Sequence, residues 1–477
     1  MSHSALPPAV CGLRDGVTAS LHRFPPPLLV VLAVAACFSA RAQTLTITDG
    51  ALGLQTVPGQ TNHVWADPPP PDQVFDRWTG DIQLLADPWA WHTTATMPAA
   101  SASITATFRS APVWTATTYI LNGLAANDPN AVRLIFYFPP NPVGVIFRFH
   151  GSGGSAASFF SKVEDFAFAR DAVAAGYAVA ALDSADRTSK QWASPATAVN
   201  LDVVNVQAAI NYFIGLGLMT TNTPKFSSGM SNGGGFAPKP AYFLGFNACA
   251  VWCAVGAPMV LFNVTTVPTI WNLARNDDLY DHTDFLPNAT TNLANLTARG
   301  IAGELRENTV SPVYPRRFLR IPGLSATNSQ TIYDSLKSGG FLDAQDYLLT
   351  DPGTSGWFAS LPPGFDSYQG DIQDQLDCCY SAHKFFSDFG NRTLRFFGAR
   401  RPPVNGRGSI RALNRDAGGE VLLTIAADDG QDYRVQASPD LAAWTTLFTN
   451  MYSGGTFDYA DTAAPGFARR FYRTVSP

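Results

Sequence analysis

The sequence has few charged residues and few cysteines, and both shortages exclude classes of protein. Of its 477 residues only 14% are charged, the net charge is −5, and no run of Lys and Arg stands out. A nucleic-acid partner is therefore not expected, because such partners call for a basic stripe or patch. Only six cysteines are present and none forms a C-x-x-C pair. A zinc site is therefore not expected. No other metal and no organic cofactor is predicted either.

No apolar run is long enough to cross a membrane. The run LLVVLAVAACF (Leu28–Phe38) has 11 residues, about half of what a bilayer requires. It is followed by the small-x-small sequence Ala40–Ala42, so residues 1–42 are predicted to be a secretory signal peptide. The protein is then secreted or held at the cell surface. The residues up to Cys37 resemble a bacterial lipobox, which leaves lipid anchoring at Cys37 as an alternative.

Four cysteines follow the predicted cleavage site, namely Cys249, Cys253, Cys378 and Cys379. An exported chain meets oxidising conditions, so disulfide bonds between them are one expectation. Burial of each thiol as a small apolar side chain is the other. The spacing of the four residues does not decide between the two, and it gives no pairing.

The segment after the signal peptide, residues 43–110, is predicted to be a small β module. The stretches TLTIT (Thr44–Thr48) and TATMPAASASITATF (Thr94–Phe108) alternate apolar and polar residues, as half-buried strands do. The pattern V-x-A…F-x-x-W-x-G-D…T-M-P…A-T-F resembles the internalin-type repeats of bacterial surface and secreted proteins. The resemblance implies a module without chemistry of its own.

The C-terminal segment, residues 404–477, is predicted to be a β-sandwich. Short apolar strands such as EVLLTIAA, YRVQAS and ARRFYRTV are separated by turn residues. The run DYRVQASPDLAAWTTL…RRFYRTV resembles the fibronectin-like modules of exported bacterial enzymes, which bind, space or anchor. Phe467, Phe471 and Tyr472 suit a carbohydrate-binding face, but packing into the core is the favoured interpretation.

Residues 111–400 alternate apolar strands with helices. VGVIFRFHG (Val143–Gly151) and ACAVWCAVGAP (Ala248–Pro258) are continuous apolar runs, whereas VNVQAAINYFIGLGL (Val204–Leu218) has helical spacing. Strands that are apolar on both sides belong to parallel sheets with helices on both faces. The predicted fold class is therefore α/β, flanked by two small all-β modules.

The stretch Gly229-Met230-Ser231-Asn232-Gly233 has the form G-x-S-x-G. Alone this motif is weak, but here it follows a predicted strand and precedes a small-residue helix start. In that setting a sharp turn projects the serine oxygen above the sheet, and small neighbours let strand and helix approach. Ser231 is therefore the candidate nucleophile, with Gly229 and Gly233 as the structural glycines of the turn.

A serine nucleophile needs a base, and five histidines follow the signal peptide. His63 and His92 belong to the first β module, His150 lies in a His-Gly turn, and His282 lies in a predicted loop. His383 comes in a loop just ahead of the amphipathic helix near the end of the central domain. This is where a returning catalytic histidine is expected, so His383 is the candidate base.

The base needs an orienting acid. Asp277 and Asp278 begin the loop after the predicted strand TIWNLAR, and the G-x-x-D-x-x-V pattern favours Asp277 with Asp278 as the alternative. The chain order Ser231, Asp277, His383 is the Ser…Asp…His order of nucleophile-elbow enzymes. The gap of 106 residues between acid and base (383 − 277) is long. It keeps four later carboxylates open as alternatives, namely Asp366, Asp371, Asp374 and Asp377.

An oxyanion hole needs two N–H groups aimed at one point. The amide of Asn232 follows the nucleophile directly, and the second amide is expected from HGSGG, with Ser152 as the candidate. Gly151 and its neighbours allow the backbone to turn these amides inward. His150 is then expected to bond to the backbone and shape this turn.

The words FRFHGSGG, GMSNGGG, ARNDD and SAHKFFSDF resemble those of α/β-hydrolases across residues 111–400. The S-N-G-G elbow is similar to that of secreted polyhydroxybutyrate depolymerases, feruloyl esterases and related carboxylesterases. The resemblance implies ester hydrolysis through Ser231, Asp277 and His383. The sequence departs from the family where the usual HGC is HGS. The long acid-to-base gap includes a predicted cap-like insertion at about 285–370.

The expected partner is an extracellular ester, polymeric or aromatic, with the β modules as candidate contacts to a polymer surface or glycan. Two other functions stay open. The same triad cleaves peptides, so a secreted serine peptidase is one, and a catalytically inactive surface adhesin is the other.

Overall fold

The computed structural model describes residues 44–54, 57–256, 259–277, 282–401, 409–415, 418–427, 432–451 and 455–475. The predicted signal peptide, the lipid-anchoring alternative at Cys37 and the alternative acid Asp278 lie outside the described residues. No helix among the described residues combines the length and the apolar character that a membrane span requires.

The N-terminal module is built from two three-stranded sheets. Its strands are β1 (Leu45–Thr48), β2 (Gly50–Leu52), β3 (Thr61–Ala66), β4 (Gln73–Gly80), β5 (His92–Thr96) and β6 (Ala102–Ser110). One sheet has the order β1-β6-β4 and the other β2-β3-β5. Trp65 and Trp78 are buried in the core between them, together with Val64 and Ile104. The predicted strands at Thr44–Thr48 and Thr94–Phe108 correspond to β1, β5 and β6.

The central domain contains an eight-stranded sheet of order β14-β13-β12-β11-β9-β10-β8-β7. Its strands are β7 (Thr117–Ile120), β8 (Arg133–Tyr137), β9 (Val145–Phe149), β10 (Ala178–Leu182), β11 (Lys225–Met230), β12 (Ala248–Trp252), β13 (Thr269–Ala274) and β14 (Gly303–Asn308). The six strands from β14 to β10 are parallel, and β8 and β7 pair antiparallel at one edge. The prediction of a mostly parallel sheet is confirmed.

Helices cover both faces of this sheet. The helices are α1 (Val163–Ala174), α2 (Leu201–Gly215), α3 (Asn232–Phe236), α4 (Pro238–Phe243), α5 (Met259–Phe262), α6 (His282–Thr297), α7 (Ala326–Ser338), α8 (Gln369–Tyr380) and α9 (Gly390–Gly398). Along β9, Phe147 belongs to the core under α2, whereas Ile146 belongs to the core under α1 and α9. Because each face is buried, both sides of a strand are apolar, and each such side chain contributes about 1.5–3 kcal/mol.

The segment from about 285 to 370, predicted to be a cap-like insertion, divides into two parts. Residues 285–308 form most of α6 and then β14, the edge strand of the sheet. The following segment, residues 309–368, packs its apolar side chains against Val163 of α1 and against Ile372 and Leu376 of α8. It also contacts the N-terminal module, where Tyr314 stacks on Trp65 with ring centroids 4.2 Å apart.

The described residues of the C-terminal module form six strands in two three-stranded sheets. They are β15 (Ser409–Arg415), β16 (Val421–Ala427), β17 (Asp432–Ser438), β18 (Thr445–Met451), β19 (Gly455–Asp461) and β20 (Phe471–Val475). The sheet orders are β15-β16-β19 and β18-β17-β20, with a small apolar core between them. Tyr472 packs against this core, as favoured from the sequence. Phe467 and Phe471 are 40% and 36% exposed, so the core interpretation is wrong for these two residues.

Candidate active site

Ser231 occupies a sharp turn between β11 and α3. Its backbone has φ 57° and ψ −123°, a conformation that residues other than glycine rarely adopt. Two hydrogen bonds hold it there. The Ser231 N–H donates to the Trp252 carbonyl at 2.9 Å, and its carbonyl accepts the Gly235 N–H at 2.9 Å. The strain is therefore maintained by the neighbouring strand β12 and by the first turn of α3.

The glycines of this turn are required by close backbone approach. A Cβ on Gly229 would lie 2.0 Å from the carbonyl oxygen of Gly233. A Cβ on Gly233 would lie 2.1 Å from the carbonyl oxygen of Phe149, at the end of β9. At Gly151 the nearest atom to a Cβ would be the Met230 sulfur at 3.2 Å, a milder constraint. No larger residue fits at Gly229 or Gly233 without movement of the backbone.

Asp277 and His383 are joined by a short hydrogen bond. The distance from His383 Nδ1 to Asp277 Oδ2 is 2.6 Å, and both side chains are buried. Because the carboxylate accepts, Nδ1 carries the proton and the neutral ring has its lone pair on Nε2. His383 and Ser231 line the same cavity. The structure thus brings together the serine, the histidine and the favoured acid.

The acid loop and the histidine loop are tied to each other by their backbones. The Asn276 N–H donates to the Ser381 carbonyl at 2.8 Å, and its side-chain amide donates to the Tyr380 carbonyl at 2.8 Å. Ser381 has a positive φ of 60°, and its Oγ accepts the Arg275 N–H and donates to the Asn308 carbonyl. These bonds fix the residues next to Asp277 and His383, and they explain how a gap of 106 residues closes.

Two cysteines hold the segment after His383. Cys253 Sγ donates to the Lys384 carbonyl at 3.3 Å, and Cys378 Sγ donates to the Phe385 carbonyl at 3.6 Å. Burial raises the pKa of both thiols well above the ordinary range, so both keep the proton that they donate. Cys249 and Cys379 are buried and free as well. Of the two expectations from the sequence, the structure has buried thiols and no disulfide.

We predict that a protein produced from Gln43 onward has four titratable thiols. In concentrated guanidinium chloride without reductant, Ellman's reagent should report all four, because none is tied in a disulfide. In the folded protein the reaction should be slow, since burial keeps the thiols protonated and out of reach. A count of two or none in the denatured protein would contradict the thiol arrangement.

The loop after β9 and the start of α3 supply the candidate oxyanion amides. The N–H groups of Gly153 and Gly154 donate to the carbonyls of Lys190 and Gly151, so they are occupied. Among the described residues no backbone partner is found for the N–H of Ser152, which lines the cavity beside Ser231. The Asn232 side chain accepts the Trp192 N–H at 2.8 Å, and its own amide directly follows the serine.

His150 has a backbone role, as expected. Its Nδ1 donates to the Gly151 carbonyl at 2.8 Å, and its Nε2 accepts the Ser184 N–H at 3.2 Å. Burial lowers the pKa of His150 to about 4, so the ring is neutral at neutral pH. With both nitrogens occupied, it shapes the oxyanion loop and is not a base. The other non-candidate, His282, begins α6, and its side chain lies outside the described residues.

We expect the stability of the protein to fall as the pH drops from about 6.5 to about 4, in part because of His150. The unfolded chain binds a proton on this residue near its ordinary pKa of 6.5, whereas the folded chain does so only near 4. The contribution of neutral His150 to the free energy of unfolding is therefore fully present above pH 6.5. It falls on acidification from pH 6.5 to 4, by about 2 kcal/mol at pH 5. Urea midpoints at neutral and acid pH measure it. His150→Gln should show a smaller loss between the two pH values, and an equal loss would contradict this account.

The cavity at Ser231 has a volume of about 540 Å³. Its walls include Phe159, Phe385 and Met230, with Lys162 and Lys384 among the polar lining residues. No described residue of the 309–368 segment lines this cavity. The described residues that line it all lie between His150 and Phe385, within the central domain.

A buried arginine packs against the cavity walls, and no sequence motif singled it out. The Arg148 guanidinium lies 4.3 Å from the ring centre of Phe159 and 4.7 Å from that of Phe385, and it is paired with Asp165 at 2.8 Å. Burial raises the pKa of Asp165 to about 6 and lowers that of Arg148 to about 10, so the pair is ionised at neutral pH. In the sequence, Arg148 is marked only as a charged residue within the otherwise apolar strand VIFRF.

Comparisons with known proteins give one family match and several structural resemblances. Residues 43–112 match the family model described as "Divergent InlB B-repeat domain", which confirms the internalin-type prediction for the N-terminal module. No curated protein sequence matches the chain.

Parts of three solved esterases are similar in structure. A ferulic acid esterase is 11% identical, with 40% of this chain and 89% of that chain covered and a TM-score of 0.32. An acetyl xylan esterase from Aspergillus awamori is 15% identical, with 39% and 81% covered and a TM-score of 0.30. An esterase of Pyrococcus furiosus is 12% identical, with 42% and 87% covered and a TM-score of 0.31.

Proposed function

We propose that this protein is a serine hydrolase of the α/β-hydrolase class that cleaves carboxylic esters outside the cell. The observation that carries the proposal is the hydrogen bond between His383 and Asp277 beside the cavity that Ser231 also lines. A strained serine after a strand, an imidazole and a buried carboxylate are the parts that acyl transfer needs.

In the proposed mechanism Ser231 Oγ attacks the carbonyl carbon of the ester. His383 Nε2 takes the serine proton and passes it to the leaving alcohol, and water then hydrolyses the acyl-enzyme by the same route. Asp277 keeps the imidazole in the Nδ1–H tautomer and favours the imidazolium that forms. The amides of Ser152 and Asn232 bind the oxyanion, and each such donor is worth about 10²–10³ in kcat.

The ester substrate is proposed to be extracellular and either polymeric or aromatic. The S-N-G-G elbow resembles that of secreted depolymerases and feruloyl esterases, and the internalin-type match at residues 43–112 supports a surface or secreted setting. The exposed Phe467 and Phe471 of the C-terminal module are candidate contacts to a glycan or polymer surface.

The test is hydrolysis of a short and a long p-nitrophenyl ester by the wild type, Ser231→Ala and His383→Ala. We expect activity in the wild type and a loss of at least about 10⁴-fold in kcat in each variant. The preference between the two esters then reports the acyl pocket.

A peptide p-nitroanilide serves as the second substrate. Its cleavage by a wild type that is inert toward both esters would move the assignment to a peptidase. A folded wild type that cleaves neither class would contradict the enzyme proposal and favour an adhesin.

A further inference from the structure

The loop that carries His383 is anchored at both ends. We define the histidine loop as Ser381–Phe389, between α8 and α9. Its first residue, Ser381, is bonded through its Oγ to the backbone at the ends of β13 and β14. Its other end, at Ser387 and Asp388, is held by groups from outside the sheet. The position of His383 therefore depends on both anchors.

Ser387 is held by a buried ionic cluster. Its N–H donates to Glu164 Oε2 at 3.2 Å, and its Oγ accepts from Arg320 Nη2 at 2.9 Å. Arg320 also forms two bonds to Glu164, at 2.8 and 2.9 Å. Burial opposes ionisation, but Arg320 and Arg317 hold the pKa of Glu164 below its ordinary range. The Arg320 guanidinium lies 4.0 Å above the ring of Trp91, a residue of the N-terminal module.

Asp388 is held by the N-terminal module directly. Its Oδ1 accepts a hydrogen bond from Nδ1 of His92, the first residue of β5. Asp388 is 5% exposed, and among the described residues its Oδ2 has no hydrogen-bond partner. Burial would raise the pKa of Asp388, but the hydrogen bond from His92 and the nearby Arg317 guanidinium keep it below the ordinary range. In the part of the chain that the structure describes, His92 is therefore the side chain that donates a hydrogen bond to this buried carboxylate.

His63 supports His92 from behind. Its Nδ1 lies 3.0 Å from Nε2 of His92, so the two rings and Asp388 form one hydrogen-bonded chain. His63 lies on β3, which pairs with β5, so both histidines stand on one sheet of the module. Burial lowers the pKa of His63 to about 3, so this ring is neutral at neutral pH. The sheet thus fixes the orientation of the His92 ring, and the hydrogen bond from that ring fixes the position of the Asp388 carboxylate.

We propose that the N-terminal module is a working part of the catalytic site, because His92 positions the histidine loop through its hydrogen bond to Asp388. The inference rests on the proposed hydrolase function and adds a role that the repeat family does not imply. Asp388 follows His383 by five residues, and a displacement of about 1 Å at a catalytic group can lower the rate about 10²-fold. His92 touches no reacting atom, so it is a positioning residue.

Two substitutions at His92 test the contact to Asp388. The Asn side-chain amide occupies nearly the place of Nδ1, whereas that of Gln occupies nearly the place of Nε2. His92→Asn should keep the bond to Asp388 and retain kcat within about threefold. His92→Gln should lose it and lower kcat about 10–100-fold, with KM little changed.

The rate of labelling by a fluorophosphonate provides a second readout. This probe phosphonylates an activated serine with loss of fluoride, and it needs no assumption about the natural substrate. A wild type that does not react would contradict the proposed function itself. A reactive wild type whose His92→Gln variant is folded and labels equally fast would overturn the inference alone.

Asp67→Asn is the matched control. Asp67 is paired at 2.8 Å with Arg316 across the same interface, and among the described residues no hydrogen bond or ion pair joins it to the histidine loop. If the interface had only a structural role, kcat would fall in proportion to the melting temperature in His92→Asn, His92→Gln and Asp67→Asn alike. We expect instead that Asp67→Asn lowers the melting temperature slightly and leaves kcat within about twofold. Equal losses of kcat in the Gln and Asn variants of His92 would also overturn the proposal.

Discussion

Replacement of Asp277 by asparagine is expected to lower kcat for ester hydrolysis by about 10⁴-fold, with a much smaller change in KM. The amide is nearly isosteric with the carboxylate, so the loop keeps its shape. It donates where the carboxylate accepted at 2.6 Å from His383 Nδ1, so the imidazole changes tautomer and Nε2 carries the proton. A ring protonated at Nε2 cannot take the proton of Ser231. Steady-state kinetics of p-nitrophenyl ester hydrolysis measure the loss.

The adjacent carboxylate gives the control for this prediction. Asp278→Asn removes one charge from the same loop, but it leaves the bond between Asp277 and His383 in place. We expect its kcat to stay within about threefold of the wild type, because Asp277 still accepts the hydrogen bond from His383 Nδ1. The reverse result, with Asp278→Asn inactive and Asp277→Asn active, would assign the acid to Asp278.

Gly233→Ala is expected to remove activity and to destabilise the central domain. The added Cβ would lie 2.1 Å from the Phe149 carbonyl oxygen and 2.5 Å from that of His150. Both atoms belong to the backbone, so α3 and β9 must separate, at a cost of about 3 kcal/mol. The shift moves the Asn232 amide away from the developing oxyanion, which lowers kcat by about 10²–10³ on its own. Thermal unfolding and ester kinetics provide the two readouts.

Gly235→Ala in the same short helix is the matched control. There the nearest atom to the new Cβ is the Gly256 carbonyl oxygen at 3.6 Å, an ordinary contact distance. Alanine favours a helix over glycine by about 1 kcal/mol, so this variant should be as stable as the wild type or more so. Equal activity of the two alanine variants would show that close approach at residue 233 is not what the elbow requires.

The parts of the site that the sequence predicted depend on short-range patterns. The glycine spacing around Ser231 reports a local backbone constraint, and the structure has that constraint at φ 57°. His383 was reached by elimination among few histidines, and Asp277 by its place after an apolar strand. The structure joins these two at 2.6 Å. Local chemistry and strand order were sufficient for these residues.

The parts that the sequence did not predict depend on which surfaces meet. The contact between His92 and Asp388 joins residues 296 positions apart, and no local pattern marks either one. Residues 309–368 have the apolar spacing of helices, but spacing alone does not say whether they cover the site or the side of α1 and α8. The apolar side chains of this segment pack against Val163 of α1 and against Ile372 and Leu376 of α8. The same limit applies to the exposed Phe467 and Phe471, whose neighbours are set by tertiary packing.

Ser231 is proposed to carry the acyl group, and the sharpest test is to trap that intermediate. The wild type is mixed with p-nitrophenyl acetate, quenched with acid during the burst, digested and analysed by peptide mass spectrometry. We expect an acetyl group on Ser231 and no such adduct in His383→Ala under the same conditions. An acetyl group on a different residue, or undiminished turnover by Ser231→Ala, would contradict it.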